Sequence, residues 1–189
     1  MKNKQSIIHF VGLGGAGCNV LETFYRRGIK ARYTCITDPE RKHLPKDIHS
    51  IHYCSPKDEA MRGTLADMSV PLVLPENVKA VFSENHKYVL LAGLGSYTGT
   101  YMVEELNIWL KENNKDFMSI CSIPFRFEGD LRTKHAERLK NKLQSLPNFK
   151  YFELDILMEK FGEKSFPKGL KIAADEMYKL FKYEIEKQS

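Results

Sequence analysis

Two glycine-rich segments constrain the fold of this chain more than any other feature: GLGGAGCN at Gly12–Asn19 and GLGSYTGT at Gly93–Thr100. Each follows an apolar run typical of a buried strand and precedes a helical pattern. In α/β proteins, phosphates bind at this position, where backbone N–H groups and a helix N-terminus meet. One such loop is also common as a plain turn. Two of them, followed by PFRFEG at Pro124–Gly129, indicate a shared site.

Strand and helix patterns alternate along the chain. We expect strands over Ser6–Val11, Ala31–Thr37, Ile48–Cys54, Tyr88–Ala92, Phe117–Ile123 and Lys150–Leu154. Helices are expected from Gly15 to Arg27, over Pro75–Ser83, Thr98–Glu112 and Asp130–Gln144, and from Pro167 almost to the end. The polar stretch Ser55–Ser69 fits either a loop or a helix. Leu170, Ala173, Ala174, Met177, Leu180 and Phe181 are the expected inward residues of the last helix.

This alternation predicts a three-layer α/β fold, with a mostly parallel, Rossmann-like sheet and helices on both faces. Right-handed crossovers would place the ends of the first and fourth strands side by side. The two glycine loops would then border one crevice.

Composition narrows the class of protein. The chain has 189 residues, 42% of them hydrophobic and 28% charged, which suits one globular domain with a full core. The formal net charge of +5 comes from basic residues interleaved with acidic ones, so we do not expect nucleic-acid binding. No apolar run approaches the roughly 20 residues that span a bilayer. We therefore expect a cytoplasmic protein without a membrane partner.

The cysteines and histidines do not predict a metal site or a disulfide framework. Cys18, Cys35, Cys54 and Cys121 are scattered without a CxxC pair, which favours reduced thiols. His49 and His52 are three residues apart, and on a strand this spacing places them on opposite faces. Cys18 opens a helix after a glycine loop, and we interpret it as a small packing residue.

The first loop alone admits a dinucleotide hypothesis. Gly12, Gly14 and Gly17 have the GxGxxG spacing, and Asp38 ends the next strand, where an acid would bind a ribose hydroxyl. The second loop changes the interpretation. Residues Gly95–Thr100 offer backbone N–H groups and two threonine hydroxyls at the start of a helix, an arrangement that suits a di- or triphosphate.

With these segments, the chain resembles the GTPase domain of the tubulin/FtsZ family, and FtsZ more closely. The similar segments, besides the two loops, are CITDPERKHL at Cys35–Leu44, SIPFRFEGDLRTKHAE at Ser122–Glu137 and KIAADEMYKL at Lys171–Leu180. The resemblance runs from about Ile7 to Leu180, and PFRFEG is its most specific element.

The resemblance implies a site for GTP or GDP, with Mg²⁺ only when a triphosphate is bound. Gly14, Gly15 and Ala16 would line the phosphates and Asn19 would approach the base. Gly95, Ser96, Tyr97, Thr98 and Gly99 would surround the β- and γ-phosphates. Glu128 would hold the ribose, Arg132 would lie near the sugar and α-phosphate, and Asp175 would face guanine, with Glu176 as the alternative register.

The chain departs from the family pattern at several positions. Ser96, Tyr97 and Tyr101 replace glycines, and Leu154 stands where the family carries an asparagine against guanine. The loop that senses the γ-phosphate is replaced by SPKDEAMRGTLADM. Guanine selectivity and nucleotide switching are therefore open.

Family members also have a second domain, whose acidic loop completes hydrolysis in the neighbouring subunit. Residues 1–189 correspond to the nucleotide-binding domain alone, so we expect no catalytic residues and no GTPase activity from the chain by itself. The leading hypothesis is a non-hydrolysing regulator or interaction module in cell division or filament assembly, with a full-length FtsZ-type protein or another protein as its partner. The alternatives are a pseudo-GTPase module without nucleotide and an NAD- or adenylate-binding Rossmann enzyme.

Overall fold

Six parallel strands form the central sheet. The computed structural model describes residues 7–38, 41, 43–53, 73–162 and 166–187. Its strands are β1 Ile8–Leu13, β2 Arg32–Thr37, β3 Ile48–His52, β4 Lys87–Gly93, β5 Asp116–Ile123 and β6 Phe149–Glu153. Their order in the sheet is β3-β2-β1-β4-β5-β6, and every neighbouring pair is parallel. The predicted α/β class is confirmed, and β1 lies beside β4 as expected.

Six helices flank this sheet within the described ranges. They are α1 Gly14–Arg26, α2 Glu76–Ala80, α3 Tyr97–Glu112, α4 Asp130–Leu143, α5 Leu154–Phe161 and α6 Phe166–Glu186, and a short 3-10 turn covers Arg126–Glu128. The helix predicted at Pro75–Ser83 is shorter than expected. The α5 helix is not predicted from the sequence, because the expected strand Lys150–Leu154 includes its first residue. Cys54, the stretch Ser55–Ser69 and the segment SPKDEAMRGTLADM lie outside the described residues.

Each face of the sheet carries its own core. Residues of α2, α3 and α4 pack on one face, and those of α1 and α6 pack on the other. Phe10 of β1 belongs to the second core. The centre of its ring lies 5.2 Å from that of Phe24 on α1 and 4.9 Å from that of Phe181 on α6. Strands covered on both faces are mainly apolar, which explains why they appear in the sequence as hydrophobic runs. Leu170 is 40% exposed, so its predicted inward position is wrong: the first turn of α6 borders an open cleft.

Buried charge joins α3 to α4. Glu104 of α3 accepts hydrogen bonds from Arg138 at 2.6 Å and from Lys142 at 2.7 Å. Burial alone would raise the pKa of Glu104, but the two cations outweigh burial and lower it. Lys140, on the same helix, pairs with Glu137 and Glu153. Much of the basic run of α4 is therefore neutralised within the fold.

The folded chain is expected to lose stability in mild acid because His9 is buried. It is buried on β1, where its Nε2 lies 2.9 Å from Thr34 Oγ1. Burial lowers the pKa of His9 from 6.5 to about 4; the charges of His86, Arg32 and His49 add to this effect, and Glu84 opposes it. The folded state therefore favours the neutral ring. Its contribution is complete above pH 6.5 and is lost as the pH falls from about 6.5 to 4, with a total of about 3 kcal/mol.

Urea denaturation at several pH values would measure this loss, with His9→Gln as the comparison. The difference in unfolding free energy between the wild type and the variant isolates His9 from the carboxylates, which also titrate near pH 4. That difference should shrink as the pH falls from 7 to 4. A difference that is constant with pH would contradict the assignment.

Candidate functional site

A cleft of about 510 Å³ opens at the carboxyl ends of β1, β4 and β5, which is within the usual size range of small-molecule sites. The segments that follow these three strands form its walls, and the first turns of α6 cover one side. Its lining includes Gly15, Ala16, Asn19, Ser96, Ser122, Glu128, Arg132, Leu154 and Lys171. The crevice expected from the strand order is therefore present, and both glycine loops contribute to it.

The first loop turns directly into α1. Gly14 adopts a φ of +68°, and a Cβ there would lie 3.2 Å from the backbone nitrogen of Gly99, so the two loops touch. No side chain caps the N-terminus of α1, and its first turn holds no acid. The first N–H groups of a helix have no intrahelical partner, so they are free to donate to an anion. Gly15 faces open space within the cleft.

The second loop is closed by its own hydrogen bonds. The Gly95 N–H donates to Thr100 Oγ1 at 2.8 Å, and the Ser96 hydroxyl donates to the Gly93 carbonyl at 3.3 Å. Ser96 precedes α3, which also starts without a side-chain cap or an acid in its first turn. The uncapped N-terminus of α1 borders the cleft through Gly15 and Ala16, and that of α3 reaches it through Ser96, so both helix dipoles favour an anion there.

Tyr97 lies away from the cleft. The centre of its ring lies 4.6 Å from that of Tyr101, and the side chain packs against the core beneath α3. Of the other residues expected around phosphates, Gly14, Gly95, Thr98 and Gly99 also do not line the cleft. The bulky substitution in the second loop is therefore accommodated by packing.

Glu128 and Arg132 form the opposite wall as a pair. Arg132 donates to Glu128 Oε2 at 2.8 Å, and the Phe125 N–H donates to Oε1 at 3.0 Å. The PFRFEG segment creates this geometry, because its 3-10 turn places Glu128 beside the start of α4. The arrangement offers carboxylate acceptors next to an exposed guanidinium, a combination suited to a ligand that has both hydroxyl and anionic groups.

The end of the cleft near α5 and α6 is largely apolar. Leu154 is buried there, in a small cluster with Phe125, Leu157 and Ala173. Asp175 does not line the cleft: its carboxylate pairs with Arg27, whose guanidinium lies 4.4 Å from the centre of the Tyr178 ring. Glu176, the alternative, pairs with Lys179 at 2.5 Å. A contact between Asp175 and a base stays a prediction.

Three polar residues of the lining are not among the predicted site residues: Thr23, Ser122 and Lys171. Thr23 follows Asn19 by four residues, a spacing that places both on one face of α1 and could have identified it. Lys171 is exposed and makes no ion pair with any described residue. It adds a positive charge to the wall that α6 contributes.

The described cysteines lie in the core of the fold. Cys18, Cys35 and Cys121 are fully buried, and the Cys18 thiol donates to the Gly12 carbonyl at 3.4 Å. No cluster of three metal-ligating side chains occurs among the described residues. In the same part of the chain, no helix has the length and apolar character to cross a membrane.

Comparison with known proteins agrees with the fold. No family model matches the chain. It is 25% identical over 154 residues to the cell division protein FtsZ 1 of Archaeoglobus fulgidus, a match that covers 75% of this chain and 40% of that protein. It is 27% identical over 166 residues to the cell division protein FtsZ of Mycoplasmopsis pulmonis, a match that covers 82% of this chain and 41% of that protein. The chain thus spans about two fifths of the length of these relatives.

Solved structures show the same similarity. An FtsZ dimer from M. jannaschii superposes with a TM-score of 0.71 at 19% identity, covering 93% of this chain and 53% of that one. CetZ from Methanosaeta thermophila superposes with a TM-score of 0.63 at 15% identity, and the match covers 96% of this chain and 54% of that one. The GDP-bound CetZ1 of Haloferax volcanii superposes with a TM-score of 0.60 at 16% identity, and the match covers 90% of this chain and 57% of that one. The chain has the tubulin/FtsZ-like fold, and the resemblance seen in its motifs is confirmed.

Proposed function

We propose that this chain binds a guanine nucleotide in the cleft and acts as a non-hydrolysing regulator or interaction module. The observation that carries the proposal is the meeting of two uncapped helix N-termini, those of α1 and α3, at the carboxyl edge of a parallel sheet. Such an edge favours an anion with several phosphate oxygens. The solved relative CetZ1 has GDP bound, which supports a guanine nucleotide as the ligand.

The remaining walls fit the other parts of a nucleotide. Glu128 offers acceptors for ribose hydroxyls, and Arg132 lies beside it to pair with a phosphate. The apolar end at Leu154 is suited to one face of a base. A Mg²⁺ ion would enter with a triphosphate and be held mainly by phosphate oxygens and water, as Mg²⁺ usually is.

The proposed absence of hydrolysis is based on the carboxylates of the cleft. Among the described residues, Glu128 is the sole carboxylate that lines the cleft, and both of its oxygens already accept hydrogen bonds. Activation of water by general base catalysis needs a carboxylate or another base within hydrogen-bond reach of that water. We assign Glu128 to the ribose, so no other carboxylate of the described cleft lining is left for this role.

Cell division and filament assembly are the proposed setting. The curated relatives are cell division proteins, and a solved relative is a protofilament of TubZ. We propose a cytoplasmic protein whose partner is an FtsZ-type protein or another protein. A pseudo-GTPase module without nucleotide is the second candidate, because Leu154 gives the base end no hydrogen-bonding side chain and Asp175 is paired with Arg27.

Thermal unfolding with added nucleotides tests the proposal. GDP or GTP at about 100 times its Kd should stabilise the fold by about 2.7 kcal/mol and raise the Tm by roughly 5–10 °C. ATP and NAD at the same concentration should have little effect. Equal shifts with GTP and ATP would show that the base is not read. No shift at millimolar concentration would favour the pseudo-GTPase candidate, and a shift with NAD alone would favour the Rossmann enzyme.

Replacement of Tyr97 by glycine tests the interpretation of the second loop. Since its ring packs on Tyr101 and not in the cleft, GDP affinity should stay within about twofold of the wild type. Loss of the partly buried ring should lower the free energy of unfolding by about 1–2 kcal/mol. Calorimetric titration and urea denaturation measure the two effects separately. A large loss of affinity in a folded variant would mean that Tyr97 contacts the ligand.

A further inference from the structure

Arg41 links the loop after β2 to the first turns of α1. Its Nη2 donates to Asn19 Oδ1 at 2.5 Å, and its Nη1 donates to the Gly15 carbonyl at 3.4 Å. The same guanidinium lies 3.1 Å from Glu22 Oε1. Three acceptors of one helix therefore hold this side chain, and two of them belong to residues that line the cleft.

This contact determines which way the Asn19 amide faces. Arginine has donors and no acceptor, so only the oxygen of the amide can face it. A rotation by 180° would set the NH₂ group against the guanidinium, with donors opposed to donors. The Nδ2 group, which makes no hydrogen bond with any described residue, is left for the cleft that Asn19 lines.

Glu22 makes the arrangement rigid as well as oriented. Its carboxylate holds the guanidinium from the next turn of α1, so Arg41 is fixed at more than one point. Because Glu22 compensates its charge, Arg41 is better suited to positioning than to capturing a phosphate. The contact with the Gly15 carbonyl extends the same support to the first loop.

We propose that Arg41 is a positioning residue, which fixes Asn19 as a hydrogen-bond donor and so requires an acceptor on the base that enters the cleft. The inference rests on the proposed function, because it assigns a specificity to the same site. Guanine presents two acceptors along one edge, O6 and N7, whereas adenine presents N7 beside the N6 donor. A donor at Asn19 therefore favours guanine wherever it meets the O6 position.

A double-mutant cycle on GDP affinity tests this role. Arg41→Met should weaken GDP binding about tenfold, and Asn19→Ala should weaken it at least as much. When Asn19 is already alanine, Arg41→Met should change affinity by less than twofold, because its effect passes through Asn19. Arg32→Met is the matched control: it removes the same charge from an exposed arginine that pairs with Glu84 at 2.7 Å, and it should leave GDP affinity unchanged.

Three results of the cycle and its control would overturn the inference. A tenfold loss from Arg41→Met that persists when Asn19 is alanine would show that the guanidinium acts on the ligand directly. Unchanged affinity in Arg41→Met would show that no positioning is needed. A loss equal to that in Arg32→Met would reflect net charge alone and would also overturn it.

A second measurement needs no nucleotide. ¹⁵N relaxation of the Asn19 side-chain amide in the ligand-free chain should show a rigid group, with an order parameter near 0.85, that becomes mobile in Arg41→Met, with a value below about 0.6. A mobile amide in the wild type would overturn the inference whether or not GDP binds. A rigid amide in a chain that binds no nucleotide would refute the proposed function and leave the positioning role supported.

Discussion

Replacing Gly17 by alanine is expected to disrupt the fold. A Cβ at this position would lie 2.0 Å from the Leu91 carbonyl oxygen and 2.9 Å from its carbon, so α1 packs directly on the backbone of β4. Neither atom belongs to a flexible side chain, and relief would require the whole helix to move. Overpacking of this kind costs several kcal/mol, and we expect a loss of at least about 3 kcal/mol and a fall in Tm of about 10 °C.

Gly15→Ala is the matched control for this prediction. It lies two residues earlier in the same helix, but no atom lies within 4 Å of its expected Cβ. Alanine is the better helix former, so Gly15→Ala should be neutral or should stabilise the chain by up to about 1 kcal/mol. Urea denaturation of both variants measures the contrast. Equal stability of the two variants would show that α1 does not pack on β4 as described.

Replacing Gly95 by valine is expected to abolish nucleotide binding, with a loss of affinity of at least about 100-fold. Gly95 adopts a φ of +88°, which a β-branched residue does not tolerate. Its Cβ would lie 2.8 Å from the Arg132 carbonyl oxygen and 3.0 Å from Pro124 Cγ. The substitution would thus distort the second loop and push away the wall that carries Glu128 and Arg132. Titration calorimetry with GDP measures the effect.

Gly28→Val separates this effect from general strain. Gly28 also has a left-handed φ, of +70°, but nothing lies within 4 Å of its expected Cβ, and it follows α1 at the end remote from the cleft. Gly28→Val should lose stability through the same backbone strain and keep its GDP affinity. If folded Gly95→Val bound GDP as the wild type does, the second loop would not be part of the site.

The order of elements was readable because it depends on local patterns. Buried parallel strands appear as apolar runs. Gly28 indicated the end of α1, because the left-handed conformation that it adopts there favours glycine. The placement of both glycine loops at one crevice followed from the handedness of crossovers, and the pairing of β1 with β4 confirms it. The sequence also carried a signal for α5 that was overlooked, since Gly162 (φ +60°) ends that helix.

The directions of individual side chains could not be read in the same way. Tyr97 stands in a phosphate-loop pattern, yet its ring packs on Tyr101 because α3 begins at that residue. Asp175 is expected from the resemblance to face a base, yet Arg27, which follows α1 and lies 148 residues earlier in the chain, pairs with it. Leu170 fits the apolar stripe of α6, but the first turn of that helix overhangs the cleft.

The sequence by itself determined the parallel α/β class, the two glycine loops and the edge of the sheet where they meet, because periodicity and turn chemistry act over a few neighbouring residues. Only the tertiary structure decided which polar side chains face the cleft. Arg41 and Asn19 are 22 residues apart, and their contact exists only because β2 lies beside β1 in the sheet. Long-range ion pairs and the amide orientations that they set depend on such distant neighbours, and no local pattern encodes them.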